Sequence, residues 1–587
     1  MNKSLTYSEL KRTFVFSFLY FGIIDLYKKN RSIPLSALGF VIVIFASLIS
    51  FSIKAQNQDV IIIDPYKPTI SDAFKINDNP KISDSTLGKP AMSYMISPKL
   101  FSTTFELDQI KPAKMIGEPL TKFYKSFVKV GFGSKITPFG EFYFNNLRST
   151  TQSIGVYYRH LSSSGNIKNY AYPGFSDNEA GIYARKFYKN HTLSGEVDYN
   201  RNVIHYFGFK TDDFPGISKD SIRQRFAKMG GQLKFGSTYR DSSKFNHSFA
   251  IKYFNLSDLY NEMEDHVGFN GSVDKNVKIL GKSIENQNIG FKADVDYYND
   301  INTADSSYGL AASFIHHYSF SYNILKLNAG FNASVGKSKD YKLFLYPDIN
   351  LSLNLYNNFF ILYGDISGKL KRNNIIDFSA ENPFINTSLP LAFTNTRSMF
   401  TGGFKGSLSS YLSFNIHMSK SKVEDMPLFV NDTSSVLLNR FTLVYDTVRV
   451  FNTHVEITYQ KSEKFRFLLS SDYFKYSPLN ELYAWHKPDM NVKISFNYNL
   501  KNKIILKTDV FAFKDCYAKT YNNATIPAVV PIKINGTVDF NLGIEYRYSK
   551  ILSAFLNFNN VGASRYQQWY NYPTYGFNVL GGVTYSL

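Results

Sequence analysis

The stretch that decides the fold is Val538-Asp539-Phe540-Asn541-Leu542-Gly543-Ile544-Glu545-Tyr546-Arg547-Tyr548. Apolar and polar residues alternate strictly along it, which places one greasy and one wet face on an extended strand. The pattern resumes at Ala554, Leu556 and Phe558, with Ser553 and Asn557 between or beside them. It returns at Phe577, Val579, Gly581, Val583, Tyr585 and Leu587, separated by Asn578, Gly582, Thr584 and Ser586. A strand that runs to the final residue is uncommon in soluble proteins, whose termini fray. A closed barrel needs one, because its last strand must pair with its first.

Working back along the chain, the same period governs Ile289 to Tyr297, Leu325 to Val335, Ile349 to Leu355 and Val492 to Leu500. Many of these runs reach about ten residues, the length a tilted membrane strand needs, whereas strands of soluble domains cluster near five or six. Connectors come in two sizes. Tight ones occur at Lys461-Ser462-Glu463-Lys464 and Tyr498 to Lys503, and long loops are expected at Ile375 to Arg397, Lys422 to Val450 and Asp515 to Lys533. Short turns at one end and long loops at the other are the layout of an outer-membrane barrel. The spacing predicts an all-β protein, a large antiparallel transmembrane β-barrel of roughly 22 strands, with 18 to 24 compatible. The unbroken series, the strand lengths and the export signal described next separate it from a soluble β-sandwich. The chain lacks the fixed short repeat of a β-solenoid.

Composition agrees. The 587 residues are 17% aromatic, with 43 Tyr and 53 Phe but only 2 Trp, as expected for lipid-facing sheets with aromatic girdles. The formal net charge of +19 is not gathered into a run that would mark a nucleic-acid tract. On a bacterial surface it would meet acidic headgroups or anionic polymers. The one cysteine, Cys516, cannot form an internal disulfide.

Three regions are expected. Residues 1–55 read as a signal or leader: Lys28, Lys29 and Arg31 precede the apolar run Leu38–Ile53, and Lys54-Ala55-Gln56 supplies a cleavage point after Ala55. Residues 56–125 hold Pro65, Pro68, Pro80, Pro90, Pro98, Pro112 and Pro119, too many for a sheet interior, and read as a short periplasmic or lumen-filling segment. Residues 126–587 form the barrel. Within the second region Asp59, Val60, Ile61, Ile62, Ile63 and Asp64 form a short extended run. It either adds as a strand to a partner's sheet edge or packs within its own barrel.

The segments Leu556 to Asn560, Tyr566 to Pro573 and Leu580 to Leu587, together with Glu381-Asn382-Pro383-Phe384 and Asn395-Thr396, resemble TonB-dependent-receptor-type barrels. The resemblance is clearest in the C-terminal third. It implies an outer-membrane receptor of a Gram-negative bacterium, with Asp59–Asp64 similar in type and place to a TonB-contacting segment. Two departures stand beside it. Only about seventy residues lie where that family carries a plug of well over a hundred, and the chain ends on Leu587 where the family commonly ends on Phe.

Catalytic motifs are missing. There is no G-x-S-x-G and no H-E-x-x-H, and Gly281-Lys282-Ser283 and Gly336-Lys337-Ser338 lack the upstream glycine of a phosphate loop. His316 and His317 are adjacent, so on a strand they point to opposite faces. No enzyme, cofactor or metal centre is expected. The polar face carries Lys292, Asp294, Asp296, Asp539, Glu545 and Arg547, expected to face the lumen, since a midplane Arg or Lys turned to lipid costs about 2–4 kcal/mol. They read as a hydrated wall of paired charges. Tyr483, Trp485, His486, Trp569, Tyr570 and Tyr572 are expected in the interfacial girdle.

These readings favour solute passage or TonB-linked uptake of an unknown ligand. TonB is a candidate partner in the uptake reading; the alternatives are a structural barrel subunit of a multi-protein outer-membrane complex, docked to another periplasmic protein or a surface lipoprotein, and, further off, an outer-membrane hydrolase. Outer-membrane lipid is the expected surrounding and nucleic acid is not an expected partner.

Overall fold

The computed structural model describes residues 124–587 except 148, 240–243, 282–283, 302–305, 338–339 and 522–528. The leader, the cleavage point, the Pro-rich segment and the Asp59–Asp64 run lie outside these residues.

Twenty-two strands form one antiparallel sheet that closes on itself. The first, Ser126–Gly133, pairs with the last, Asn578–Ser586, from Phe127 opposite Ser586 to Gly133 opposite Leu580. Two backbone bonds of 2.9 Å between Ser126 and Leu587 finish the ring. Gly131 faces Gly582 across this junction, and a Cβ on Gly582 would collide with the Val130 carbonyl. The face that carries this glycine pair is therefore kept bare where the strands meet, while Val130 and Val583 pair on the other face.

Alternation sets which side chains leave the wall. Val538 is 68% exposed and Phe540 40%, while Asp539 between them is 1% exposed. His316 stacks on Phe291 while its neighbour His317 stands beside Asp274, on the opposite face. At one end the strands turn tightly, as between Tyr322 and Leu325, Lys461 and Phe465, and Leu500 and Ile504. Longer connections gather at the other end.

Two of the expected long loops are built differently. Most of Lys422 to Val450 is strand: Leu412–Asn431 and Phe441–Lys461 run 20 and 21 residues and pair up to Asn431 opposite Phe441. Leu428, Phe429, Val430 and Phe441 are at most 1% exposed, so this hairpin is buried on both faces. A strand covered on both sides loses alternation and reads as a continuous apolar run, which resembles an irregular segment in sequence. Asp515 to Lys533 likewise contains paired strands, Cys516–Tyr521 and Val529–Ile534. In the third, Ile375 to Arg397, the short helix Ile375–Glu381 is capped by Asn374, whose side chain accepts from the Asp377 amide.

Candidate functional site: a packed cap over the long-loop mouth

The cap begins where the wall bends. Strand registers shift around Gly368, around Arg397 and between Val423 and Met426, one irregularity on each of three successive strands. Bulges of this kind bend a sheet locally. Beyond the bend, strand Phe360–Arg372 parts from Tyr341–Tyr356: their pairing stops at Ile349 opposite Ile366, so Tyr341–Asp348 is paired on one side only.

Glycines admit the displaced strand. A Cβ on Gly368 would overlap the Tyr346 ring, and one on Gly336 would come within 2.8 Å of Leu370. Tyr346, 2% exposed, donates its hydroxyl to Asn395 Oδ1 at 2.7 Å. Arg372 reaches Asp300 at 2.5 Å, with side chains 4% and 8% exposed. The Ile375 amide donates to Glu264 Oε2 at 2.7 Å, tying the start of the helix to a neighbouring strand.

Above this bend, segments distant in sequence share one apolar core. Ile167, Tyr206, Phe209, Phe226, Phe378, Ile385, Phe429, Phe441, Trp569 and Tyr572 all belong to it. Tyr572 stacks on Phe384 and meets Phe207 edge-on, and its hydroxyl donates to the Asn439 carbonyl. Tyr206 donates to the Ile385 carbonyl at 2.7 Å and accepts, through its own carbonyl, from Asn439 Nδ2 at 2.6 Å. The Arg440 guanidinium lies over both Tyr206 and Tyr260. Asp258 joins four partners: it accepts from Thr387 Oγ1 at 2.6 Å, Gln224 Nε2 at 3.0 Å, the Tyr260 amide at 2.7 Å and the Glu262 amide at 2.8 Å.

A second junction holds the hairpin from behind. The Asp446 carboxylate accepts from the amides of Asn480 and Glu481. Glu481 in turn receives the Trp485 indole at 2.7 Å and Lys519 at 2.8 Å. His486 is fully buried, and burial lowers its pKa to about 4. The Tyr570 amide donates to Nε2, so Nδ1 carries the proton given to the Phe429 carbonyl. The aromatic residues expected in the girdle are thus corrected. Trp485, His486, Trp569 and Tyr572 are interior residues of the cap, because the loops that carry them fold onto the mouth instead of ending at the membrane surface.

The charged residues singled out by sequence fall into three settings. Lys292, Asp294 and Asp296 share the face opposite Phe291, Val295 and Tyr297; Asp294 accepts from Asn270 and Asp296 contacts His266 at 2.9 Å. Glu545 pairs with Arg547 at 3.2 Å. Asp539 is an internal acceptor, taking the amides of Phe540 and Gly562. The cap residues Asp258, Asn439 and Arg440 carried no sequence signal, since their partners lie far along the chain.

No family model matches the chain, and no curated protein matches it in sequence. Solved structures do match its fold. The siderophore receptor PirA from Acinetobacter baumannii superposes with a TM-score of 0.60 at 9% identity, over 80% of this chain and 81% of the other. The barrel fold is that of the TonB-dependent receptors. The FrpB iron transporter from Neisseria meningitidis gives 0.61 at 9% identity, covering 80% and 82%. The pyoverdine receptor FpvA from Pseudomonas aeruginosa gives 0.60 at 10%, covering 80% and 79%.

Proposed function

We propose that this chain is a receptor-type uptake barrel of a Gram-negative outer membrane, with the tight turns in the periplasm and the long-loop mouth facing outward. The observation that carries the reading is the buried hairpin Met426–Asp446, which lies in the mouth of a closed 22-strand barrel. A hydrophobic lid of this kind blocks free diffusion, so a solute passes only when the lid lifts, and Lys292, Asp294, Asp296, Glu545 and Arg547 line the wet path beneath it. The bend at Gly368, Arg397 and Glu424-Asp425 is where the lid would turn. The solved structures of similar fold include receptors for siderophores and an iron transporter, which favours a scarce, bulky solute over the small ions of a general porin.

The test places cysteines at Asp258 and Thr387, whose side chains touch between the rim and the loop 373–392, which the backbone bonds of Phe384 and Asn386 to Phe441 tie to the lid. Oxidised protein in liposomes should pass less solute than reduced protein. Equal passage in both states would refute a moving lid. Asp59–Asp64 is assigned to coupling, as the strand offered to TonB or another periplasmic protein. Deleting residues 56–118 should abolish uptake with the barrel still inserted. Unchanged uptake with loss of a co-purifying protein would instead favour the docked structural subunit.

A further inference from the structure

On the outer wall, strands Met490–Leu500, Ile504–Phe513 and Thr537–Arg547 are 11, 10 and 11 residues long. That is close to the roughly 9–11 residues a tilted strand needs to cross a bilayer. Their long-loop ends therefore lie at the level of lipid headgroups. A groove of ≈ 410 Å³ opens there. Its floor is Ala512, which sits directly between Val492 and Val538 on the neighbouring strands. Met490, 40% exposed, and Val538, 68% exposed, form apolar sides facing outward. The small residue between two branched ones leaves a furrow. Below Ala512 it continues past Val510, with Ile494 and Phe540 on either side.

The rim is basic. The Lys514 amide bonds to the Met490 carbonyl, and its exposed side chain follows Ala512 on the outward face. One strand beyond Met490, Lys475 stands two residues past Tyr473, the partner of Met490. Lys475 and Lys420 flank Phe451 in register, and Arg449 lies one outward position further along. Lys420, Arg449, Lys475 and Lys514 are all exposed, and none makes an ion pair among the described residues. The groove's own carboxylate, Asp515, is paired with Lys533 at 2.6 Å. An apolar furrow running into the bilayer beneath an arc of unpaired cations fits one chemistry: acyl chains below and phosphate above.

We infer that this sector of the wall is a binding site for a phosphorylated, multiply acylated glycolipid of the outer leaflet, with an acyl chain in the Met490–Ala512–Val538 furrow and its phosphates on Lys475, Lys514 and the neighbouring cations. The inference rests on the membrane orientation proposed above and goes beyond it, because it names a site, a ligand class and the side chains that choose it.

The full chain is inserted into phosphatidylethanolamine vesicles doped with bisphosphorylated lipid A, dephosphorylated lipid A or phosphatidylglycerol. Lipid retained on extraction is read by native mass spectrometry. Wild type should retain the bisphosphorylated form in preference to both others. Lys475→Gln with Lys514→Gln should lower that retention by roughly thirtyfold, two surface cations being lost. Ala512→Phe, which fills the furrow and leaves the charges in place, should lower it as well. Equal retention of phosphorylated and dephosphorylated lipid A, equal retention of phosphatidylglycerol, or variants that match wild type would each overturn the site. Failure of wild type to insert at all would overturn the membrane reading, and the site with it.

Discussion

The phenol ring of Tyr572 lies flat on Phe384, with centroids 3.7 Å apart and planes 20° from parallel. The two residues come from different loops far apart in the sequence, and their contact is the shortest ring pair among the described residues. Replacing Tyr572 with Ala removes this stack, the edge contact to Phe207 and the bond to the Asn439 carbonyl. The expected cost is about 3–5 kcal/mol to the cap, as for other buried aromatic truncations. Limited proteolysis should then cut within 373–392 and 432–440, while the heat-dependent gel shift of the barrel persists.

Asp258 is the polar counterpart. Asp258→Ala leaves the Thr387 hydroxyl, the Gln224 amide and the Tyr260 backbone amide without their acceptor. Each buried unsatisfied group costs about 1–3 kcal/mol. Hydrogen exchange should rise around 206–224 and 385–391 and stay unchanged in the wall strands 490–513. Uniform protection in both regions would argue against Asp258 as a clasp.

Acid should loosen the cap through His486. Its folded pKa, about 4, lies below the ordinary 6.5, so the unfolded segment binds a proton that the folded one refuses. The stabilisation is fully present above about pH 6.5 and disappears as pH falls toward 4, worth up to about 3 kcal/mol over that window. Both tryptophans of the chain, Trp485 and Trp569, are buried in the cap, and Trp569 lies 5.2 Å from the His486 ring. Tryptophan emission should therefore shift to the red below pH 6, and His486→Gln should flatten the transition.

Arg372 and Asp300 hold the displaced strand against the wall. Arg372→Ala strands a buried carboxylate, which typically costs about 3–5 kcal/mol. Gly309→Ala should act in the same direction, since its Cβ would occupy the place of the Arg372 guanidinium. Thermal scans by tryptophan emission would check both, with Gly402→Ala as a neutral control because nothing lies near its missing Cβ.

The wall was legible because its physics is local. Lipid on one side and water on the other impose a period of two on every strand, and Val538 to Tyr548 declares it without help from the rest of the chain. The cap was not. Met426–Val430 and Phe441–Val444 are covered on both faces, so the alternation that marks a strand is absent. Its decisive contacts also join Asn439 to Tyr206 across 233 residues and Tyr575 to Gly165 across 410. The loops' high aromatic content pointed to the membrane boundary, and only the fold distinguishes a ring that faces headgroups from one that faces another ring. The sequence placed Glu545 and Arg547 on one polar face without naming them as partners, and the fold pairs them; the internal role of Asp539 depended on the loop at Gly562.

The pairing of Ser126–Gly133 with Asn578–Ser586 also sets the order of assembly. Until residue 586 has been delivered, the growing sheet has two free margins and no inside, and neither an aqueous compartment nor the bilayer satisfies both of its surfaces. A sheet that lacks this nine-residue strand keeps two unpaired edges and encloses no lumen.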